Sequence, residues 1–259
     1  MTVLADALPA SSPPALERCR TGIEGLDNVL SGGIPRGNTV LVSGNVGTGK
    51  TTLSLEFLVR GAEAGEKGLF LSVTEASARL IQNLATFEFF RPELVDTRQI
   101  VFVDMPVLYQ KLGLHPDELT SDDIDVLVRN LAGLAKEVGA KRVVVDSLTS
   151  VLYRIRQPER VREFVLKVSQ ALNELDCTTL FVSELGGTAG PLAGHGVEEA
   201  IVDGVIVLGN TRRQGDILRV LQVVKMRGTP HSRAQYVIEL SPIGLLMAPH
   251  LKGGRSEGA

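Results

Sequence analysis

Glycine, lysine and threonine follow one another as G-x-x-x-x-G-K-T between Gly44 and Thr51. A loop that wraps an anion needs residues that accept positive φ and lack a Cβ, so that backbone N–H groups can converge. A lysine at the end of the loop adds a charge for β- and γ-phosphates, and the hydroxyl after it can bind Mg²⁺. The motif therefore predicts a P-loop that binds a nucleoside triphosphate with Mg²⁺. The candidate nucleotide-binding residues in this stretch are Gly44, Asn45, Val46, Gly47, Thr48, Gly49, Lys50, Thr51 and Thr52.

A second candidate is the aspartate that ends the apolar run at 142–146. Doubly wound folds bind ligands at the carboxyl ends of their strands, and a carboxylate placed there can hold Mg²⁺ through water. We therefore expect Asp146 to form the metal site together with Thr51, and to be part of the catalytic set with Lys50. The alternative is an aspartate that only ends a strand at a turn.

A third candidate is Glu75, which follows the apolar run at 68–73. Hydrolysis of a triphosphate needs a group that orients or activates water, and a carboxylate at a strand tip can do this. The alternative is an acidic residue just ahead of a helix at 76–84, where it would favour the helix N-terminus. The sequence leaves both interpretations open.

These candidates need a scaffold that presents several loops along one edge. Near-continuous Val, Ile and Leu content is typical of strands buried on both faces of a parallel sheet. Such runs predict strands at 39–43, 68–73, 100–104, 142–146, 178–183 and 204–209. Between them, apolar residues repeat at helical spacing through 121–138, with Thr120 or Ser121 as N-cap and Gly139 as the end. A similar stripe follows Pro158.

The last third of the sequence changes character. The segments 216–228 and 234–247 are strand-like, and no helical pattern separates them. They predict an antiparallel meander at one edge of the sheet. The sequence thus predicts an α/β fold with a mostly parallel, doubly wound sheet, helices on both faces and an antiparallel C-terminal edge.

Composition limits the class of protein. The chain has 259 residues, a formal net charge of −3 and 4% aromatic residues, which argues against a nucleic-acid partner. It has no signal-peptide pattern and no apolar run long enough to span a bilayer, so we expect a cytoplasmic protein without a membrane partner. Cys19 and Cys177 are expected to be reduced thiols. Pro-, Ser- and Gly-rich ends predict flexible tails at 1–17 and 251–259 around one domain at 18–250.

Several stretches together resemble the RecA-like ATPase domain of the circadian-clock protein KaiC. The resemblance covers roughly Thr21 to Met247, and its motifs stand in the order found in that family. They are TGIEGLDNVLSGGIPRGNTVLVSGNVGTGKT, VVVDSLTS, TTLFVSE, GVEEAIVDGVIVL and VVKMRGTPHS. KaiC is similar to two such domains in tandem, whereas this chain holds one. The resemblance implies a RecA-like P-loop fold, ATP as the nucleotide and a hexameric ring with ATP bound between subunits.

The same resemblance implies residues that reach the ATP of a neighbouring subunit. They are Lys225, Arg227, Thr229 and His231. Cations from one subunit would neutralise the γ-phosphate held by the next. The nucleotide state would then change the contacts between the two subunits. The alternative is that Lys225 and Arg227 are solvated charges on an edge strand.

Two departures from the family pattern bear on activity. Family members usually carry two adjacent glutamates where this chain has Thr74 and Glu75, and a threonine hydroxyl is no base at neutral pH. Either Glu75 acts through a shifted water or hydrolysis is very slow. The stretch Glu198–Ala200 stands where the autokinase domain of KaiC carries a Ser-Thr pair, so the chain resembles the ATPase domain more closely.

The leading hypothesis is a slow, ring-forming ATPase that couples nucleotide state to an unidentified signalling partner. A nucleotide-binding scaffold without turnover is the main alternative, because of Thr74. A recombinase-like DNA-dependent ATPase is disfavoured by the acidic charge, and a serine/threonine kinase by the missing hydroxyl pair.

Overall fold

The computed structural model describes residues 16–114, 118–155, 157–184 and 198–249. Of the predicted tails at 1–17 and 251–259, residues 1–15 and 251–259 lie outside the described residues. The strands are β1 (Arg18–Cys19), β2 (Ile34–Pro35), β3 (Thr39–Gly44), β4 (Gly68–Ser72), β5 (Ile100–Asp104), β6 (Arg142–Asp146), β7 (Thr178–Glu184), β8 (Gly204–Arg213), β9 (Asp216–Met226), β10 (Gln235–Ser241) and β11 (Gly244–Pro249). The helices are α1 (Glu24–Val29), α2 (Lys50–Glu63), α3 (Ser77–Leu84), α4 (Glu93–Asp96), α5 (Met105–Leu112), α6 (Ser121–Val138), α7 (Leu148–Leu152), α8 (Pro158–Asn173) and α9 (Glu198–Ile201).

One large sheet organises the chain, with strand order β11-β10-β9-β8-β3-β7-β6-β4-β5. From β8 through β3, β7, β6 and β4 to β5, each strand runs parallel to the next. The pairs β8–β9, β9–β10 and β10–β11 are antiparallel. The predicted α/β class and the antiparallel C-terminal edge are both confirmed.

The apolar strands are continuous because both faces of the sheet are covered. Val40 and Val42 of β3 pack in the core on the α2 side, whereas Leu41 between them packs in the core on the α6 and α8 side. Successive side chains of a strand point to opposite faces, so a strand between two helical layers has no polar face.

Helix α6 shows how local sequence sets its ends. The Thr120 hydroxyl accepts a hydrogen bond from the backbone N–H of Asp123, while the Asp123 carboxylate accepts one from the backbone N–H of Thr120. Gly139 ends the helix with φ of 69°. The predicted cap, span and end are therefore confirmed, with Thr120 rather than Ser121 as the N-cap.

One predicted strand is too short. The run at 204–209 predicts a strand that ends there, but β8 continues to Arg213. Its last residues, Asn210 to Arg213, are polar and therefore carry no apolar signal, but they pair with β9. The two strands thus form a hairpin that extends past the carboxyl end of β3. Within the described ranges, no helix combines the length and the apolar character needed to cross a bilayer.

Candidate nucleotide-binding site

The loop between β3 and α2 needs its glycines for two different reasons. Gly47 and Gly49 have φ of +79° and +99°, the left-handed region that disfavours other residues. Gly44 has no positive φ; a Cβ there would lie 2.3 Å from the carbonyl oxygen of Leu208 on the neighbouring strand. The loop therefore passes so close to β8 that only glycine fits at its start, and turns back at Gly49 to open α2.

Lys50 is held inside this loop. Its Nζ donates a hydrogen bond of 2.9 Å to the carbonyl oxygen of Asn45, and the Thr48 hydroxyl donates one of 2.8 Å to the same oxygen. Burial lowers the pKa of Lys50, and the carboxylates of Glu184 and Asp146 oppose that effect. The result is a poorly solvated cation at the first residue of α2, beside the free N–H groups of that helix. Such an arrangement favours a bound anion.

Thr51 and Asp146 meet although 95 residues separate them. The Thr51 hydroxyl donates a 2.7 Å hydrogen bond to Oδ2 of Asp146. Burial raises the pKa of Asp146, while the Thr51 hydrogen bond and the charge of Lys50 lower it. The two candidate metal residues of the sequence therefore lie in contact.

This pair fits Mg²⁺ bound with a nucleotide. Mg²⁺ prefers oxygen ligands, and in nucleotide sites it is held by one or two protein groups together with phosphates and water. Thr51 and Asp146 supply a hydroxyl and a carboxylate at the metal position. Among the residues that the structure describes, no group of three or more His, Cys, Asp or Glu side chains forms a separate metal cage.

Glu75 lies in the loop between β4 and α3, and its side chain contacts the helix that follows. Its Oε1 lies 3.4 Å from the Arg79 guanidinium and accepts a 3.3 Å hydrogen bond from the Asn83 amide. Its backbone carbonyl accepts a hydrogen bond from the Ser72 hydroxyl. These are the contacts expected of the structural alternative, and the catalytic assignment of Glu75 stays a prediction.

The four candidates that would serve a neighbouring subunit lie away from the loop of their own chain. Lys225 pairs in register with Val205, which pairs with Leu41, three residues before the end of β3. At about 3.3 Å per residue, this is roughly 10 Å back from the P-loop along the strand direction. Arg227 lies still farther towards the amino end of β3, next to Asp203.

Lys225 does not lie on an edge strand, and Arg227, which follows β9, is exposed but also makes contacts within the chain. Strand β9 lies between β8 and β10. Lys225 donates to three carbonyl oxygens in and just after α9, the shortest contact being 2.6 Å to Val202. Arg227 donates to the carbonyls of Ala200 and Ile201 and pairs with Asp203 at 3.1 Å. A cation near a helix C-terminus is stabilised by the unpaired carbonyl groups there.

Thr229 and His231 belong to the turn after β9. The Thr229 hydroxyl accepts a 2.8 Å hydrogen bond from Arg18, and Nδ1 of His231 lies 3.1 Å from the Thr229 carbonyl oxygen. Within the described residues, Nε2 of His231 is buried without a hydrogen-bond partner. The structure therefore brings these candidates together with one another, but not with Lys50.

Sequence reasoning missed two residues at the site. Glu184 ends β7 beside the P-loop; the run TTLFVSE has the same strand-then-carboxylate pattern as Asp146 and could have indicated it. Arg219 of β9 donates a 3.2 Å hydrogen bond to the carbonyl of Gly47. It stands 172 residues from its partner, and no local pattern identifies it.

A P-loop at the carboxyl end of β3 and a carboxylate two strands away at the end of β6 define a RecA-like P-loop nucleotide-binding fold. A family profile described as "ATPase: KaiC" matches residues 19–252. The chain belongs to this family of KaiC ATPases.

Individual relatives agree with this assignment. A UPF0273 protein of Pyrococcus furiosus is 36% identical, over 93% of this chain and 98% of that protein. A UPF0273 protein of Thermotoga maritima is 35% identical, over 90% and 97%. The circadian clock oscillator protein KaiC of Synechococcus elongatus is 31% identical over 92% of this chain, which spans 46% of KaiC. The crystal structure of a KaiC-like protein from Pyrococcus horikoshii OT3 has a TM-score of 0.76 and 33% identity, over 90% of this chain and 100% of that chain.

Proposed function

We propose that this protein binds Mg·ATP, hydrolyses it slowly and uses the nucleotide to bridge identical subunits in a ring. The observation that carries the proposal is the 2.7 Å contact between Thr51 and Asp146 next to the buried ammonium of Lys50. A hydroxyl and a carboxylate in contact, one residue from a desolvated lysine at a helix N-terminus, form a site for a metal-bound triphosphate.

Each part of the site has one task. Loop amides between Gly44 and Gly49 and the first turn of α2 would hold the β-phosphate, and Thr52 lies in that first turn for the α-phosphate. Lys50 would leave the Asn45 carbonyl and contact the β- and γ-phosphates. Mg²⁺, when bound, would neutralise charge on the phosphate oxygens next to Thr51 and Asp146. Together these groups stabilise the charge that develops during phosphoryl transfer.

Two observations support an assembly in which a second copy completes the site. Lys225 and Arg227 stand at the end of the sheet opposite their own P-loop, too far to serve their own nucleotide. Arg227 nonetheless keeps 55% of its side chain exposed and is available to a neighbour. A head-to-tail interface closes into a ring when the rotation between subunits is a whole fraction of a turn. We extend the proposal to a cytoplasmic switch whose nucleotide state is read by a signalling partner.

Slow turnover is expected because the loop after β4 lacks the base that the family resemblance implies there. Thr74 cannot act as a base, and the carboxylate of Glu75 is engaged by Arg79 and Asn83. A site that binds ATP well but activates water poorly stays in the ATP-bound state for a long time. Such a state suits a switch or timer.

The test combines phosphate release with size-exclusion chromatography, with and without Mg·ATP. We expect continuous phosphate release from the wild type, none above background from Lys50→Ala, and a larger species when Mg·ATP is present. Binding of ATP without phosphate release would instead support the scaffold without turnover. A strict monomer under all conditions would exclude the ring.

A further inference from the structure

We propose that Glu184, rather than Glu75, is the catalytic carboxylate that accepts a proton from the water attacking the γ-phosphate. The assignment rests on the proposed ATP hydrolysis and specifies which side chain serves it. Glu184 is exposed and is the last residue of β7, the strand next to β3.

Strand order brings Glu184 to the phosphate site. Gly44, where the P-loop begins, pairs in register with Glu184. Strands lie about 4.8 Å apart, so Glu184 stands one strand spacing from the start of the P-loop. Strand β4, which leads to Glu75, lies three spacings from β3, although, like β7, it lies next to β6 and Asp146. Of the two carboxylates, Glu184 is therefore the one carried by the strand next to the P-loop.

The face of the sheet also favours Glu184. Asp146 pairs in register with Val182, two residues before Glu184. Residues two apart on a strand point to the same face, so Glu184 projects on the face of Asp146. The hydrogen bond from Thr51 shows that this is the face covered by α2.

The backbone of Glu184 is held by a hydrogen bond to the segment that follows Asp146. Its N–H donates a 2.9 Å hydrogen bond to the Thr149 hydroxyl, which also lies 3.0 Å from the Ser183 hydroxyl. Thr149 belongs to α7, which begins two residues after Asp146. The end of β7 and the metal carboxylate are thus held by one short connection.

In the proposed step, the γ-phosphoryl group is transferred from ATP to water. The water oxygen forms a bond to the γ-phosphorus, the bond from that phosphorus to the β–γ bridging oxygen breaks, and its electron pair leaves with ADP. One water proton passes to the Glu184 carboxylate and then to solvent, and the other stays on the released hydrogen phosphate. The products are ADP, hydrogen phosphate and one proton, as in any hydrolysis of ATP.

The experiment compares Glu184→Gln with Glu75→Gln, because each removes one negative charge at constant side-chain size. We expect Glu184→Gln to lower kcat roughly 10²-fold or more, the usual scale for loss of a general base, with KM and ATP affinity unchanged or tighter. Glu75→Gln tests the competing assignment: if Glu184 is the base, its loss of kcat should be much smaller than that of Glu184→Gln, since the Glu75 charge already faces Arg79 and Asn83. Steady-state phosphate release and titration with Mg·ATP supply both readouts.

A wild-type kcat in Glu184→Gln, or a large loss only in Glu75→Gln, would overturn the assignment while leaving the proposed ATPase intact. A wild type that binds ATP but releases no phosphate would overturn both. If Glu184→Gln does not fold by circular dichroism, Glu184→Asp replaces it: a kcat loss of about tenfold or more at unchanged KM supports the role, and wild-type kcat excludes it.

Discussion

Charged residues at the two ends of the central sheet have different partners. At the carboxyl end of β3, Lys50, Thr51 and Asp146 converge within one chain, although they come from distant segments. At the opposite end, Lys225 and Arg227 contact the carbonyls of α9 and face no phosphate site of their own chain. One subunit therefore assembles the proposed phosphate-binding half of the site alone, whereas the proposed cationic half would act only on the nucleotide of another copy.

The largest expected effect tests the binding half. Lys50→Ala removes the buried cation at the helix N-terminus and should reduce phosphate release by about 10²–10³-fold or more, the scale for losing one preorganised charge-stabilising group. Titration calorimetry with Mg·ATP should show weakened binding, while the melting temperature stays near that of the wild type. Wild-type binding by this variant would mean that the loop is not the phosphate site.

Asp146→Asn should separate function from stability. We expect turnover to fall about 10²-fold and to need more Mg²⁺, because a neutral amide replaces the carboxylate proposed to hold the metal. Because burial raises the pKa of Asp146, the folded protein binds that proton more tightly than the unfolded chain does. The free energy of unfolding therefore falls as pH rises from the ordinary aspartate range through the raised pKa, and the charged form is destabilising at neutral pH.

The same variant should therefore melt at a higher temperature at pH 7 without nucleotide, with about 2–4 °C expected per kcal/mol for a chain of this size. Scanning calorimetry at pH 7 and at pH 3.5 provides the check, since the gain should shrink at the lower pH. A lower melting temperature at pH 7 would contradict the burial argument.

A mixing experiment tests the cationic half. Arg227→Ala should turn over slowly when alone, because its sites lack the neighbour's guanidinium, and Lys50→Ala should be inactive because its loops lack the ammonium. Mixed together, they should regain roughly a quarter of wild-type activity, since in a head-to-tail ring a random mixture pairs an intact loop with an intact arginine at one site in four. The sum of the two separate activities, with no recovery, would show that Arg227 serves only its own chain.

The smallest effect concerns the contact between helix α2, which begins at the P-loop, and strand β11 at the edge of the sheet. Glu56 of α2 is 2% exposed and accepts a 2.7 Å hydrogen bond from the backbone N–H of Leu245 in β11. Glu56→Ala leaves that N–H without its partner and should lower the free energy of unfolding by about 1–3 kcal/mol. Glu63→Ala is the matched control: it removes a carboxylate about two turns along the same helix, and the arginine partners of that carboxylate are partly exposed. Urea denaturation of both variants measures the difference, and equal losses would contradict a specific role for Glu56.

Local patterns predicted much of the fold. The span, cap and end of α6 follow from its apolar stripe, Thr120 and Gly139, because helix formation depends on residues within a few positions of each other. The parallel strands were located by their apolar runs. The polar end of β8 was missed, since Asn210 to Arg213 owe their strand conformation to pairing with β9.

The sequence by itself determined the P-loop, because Gly44 to Thr51 are contiguous residues whose spacing fixes the backbone geometry. It also identified Thr51 and Asp146 as separate metal candidates, and it identified the family by several motifs in a fixed order. Only the tertiary structure decided that Asp146 meets Thr51, that Glu184 lies one strand from the loop while Glu75 contacts Arg79, and that Lys225 and Arg227 lie away from their own P-loop. These relations depend on strand order and register, which result from packing summed over the whole sheet and have no signature in any single segment.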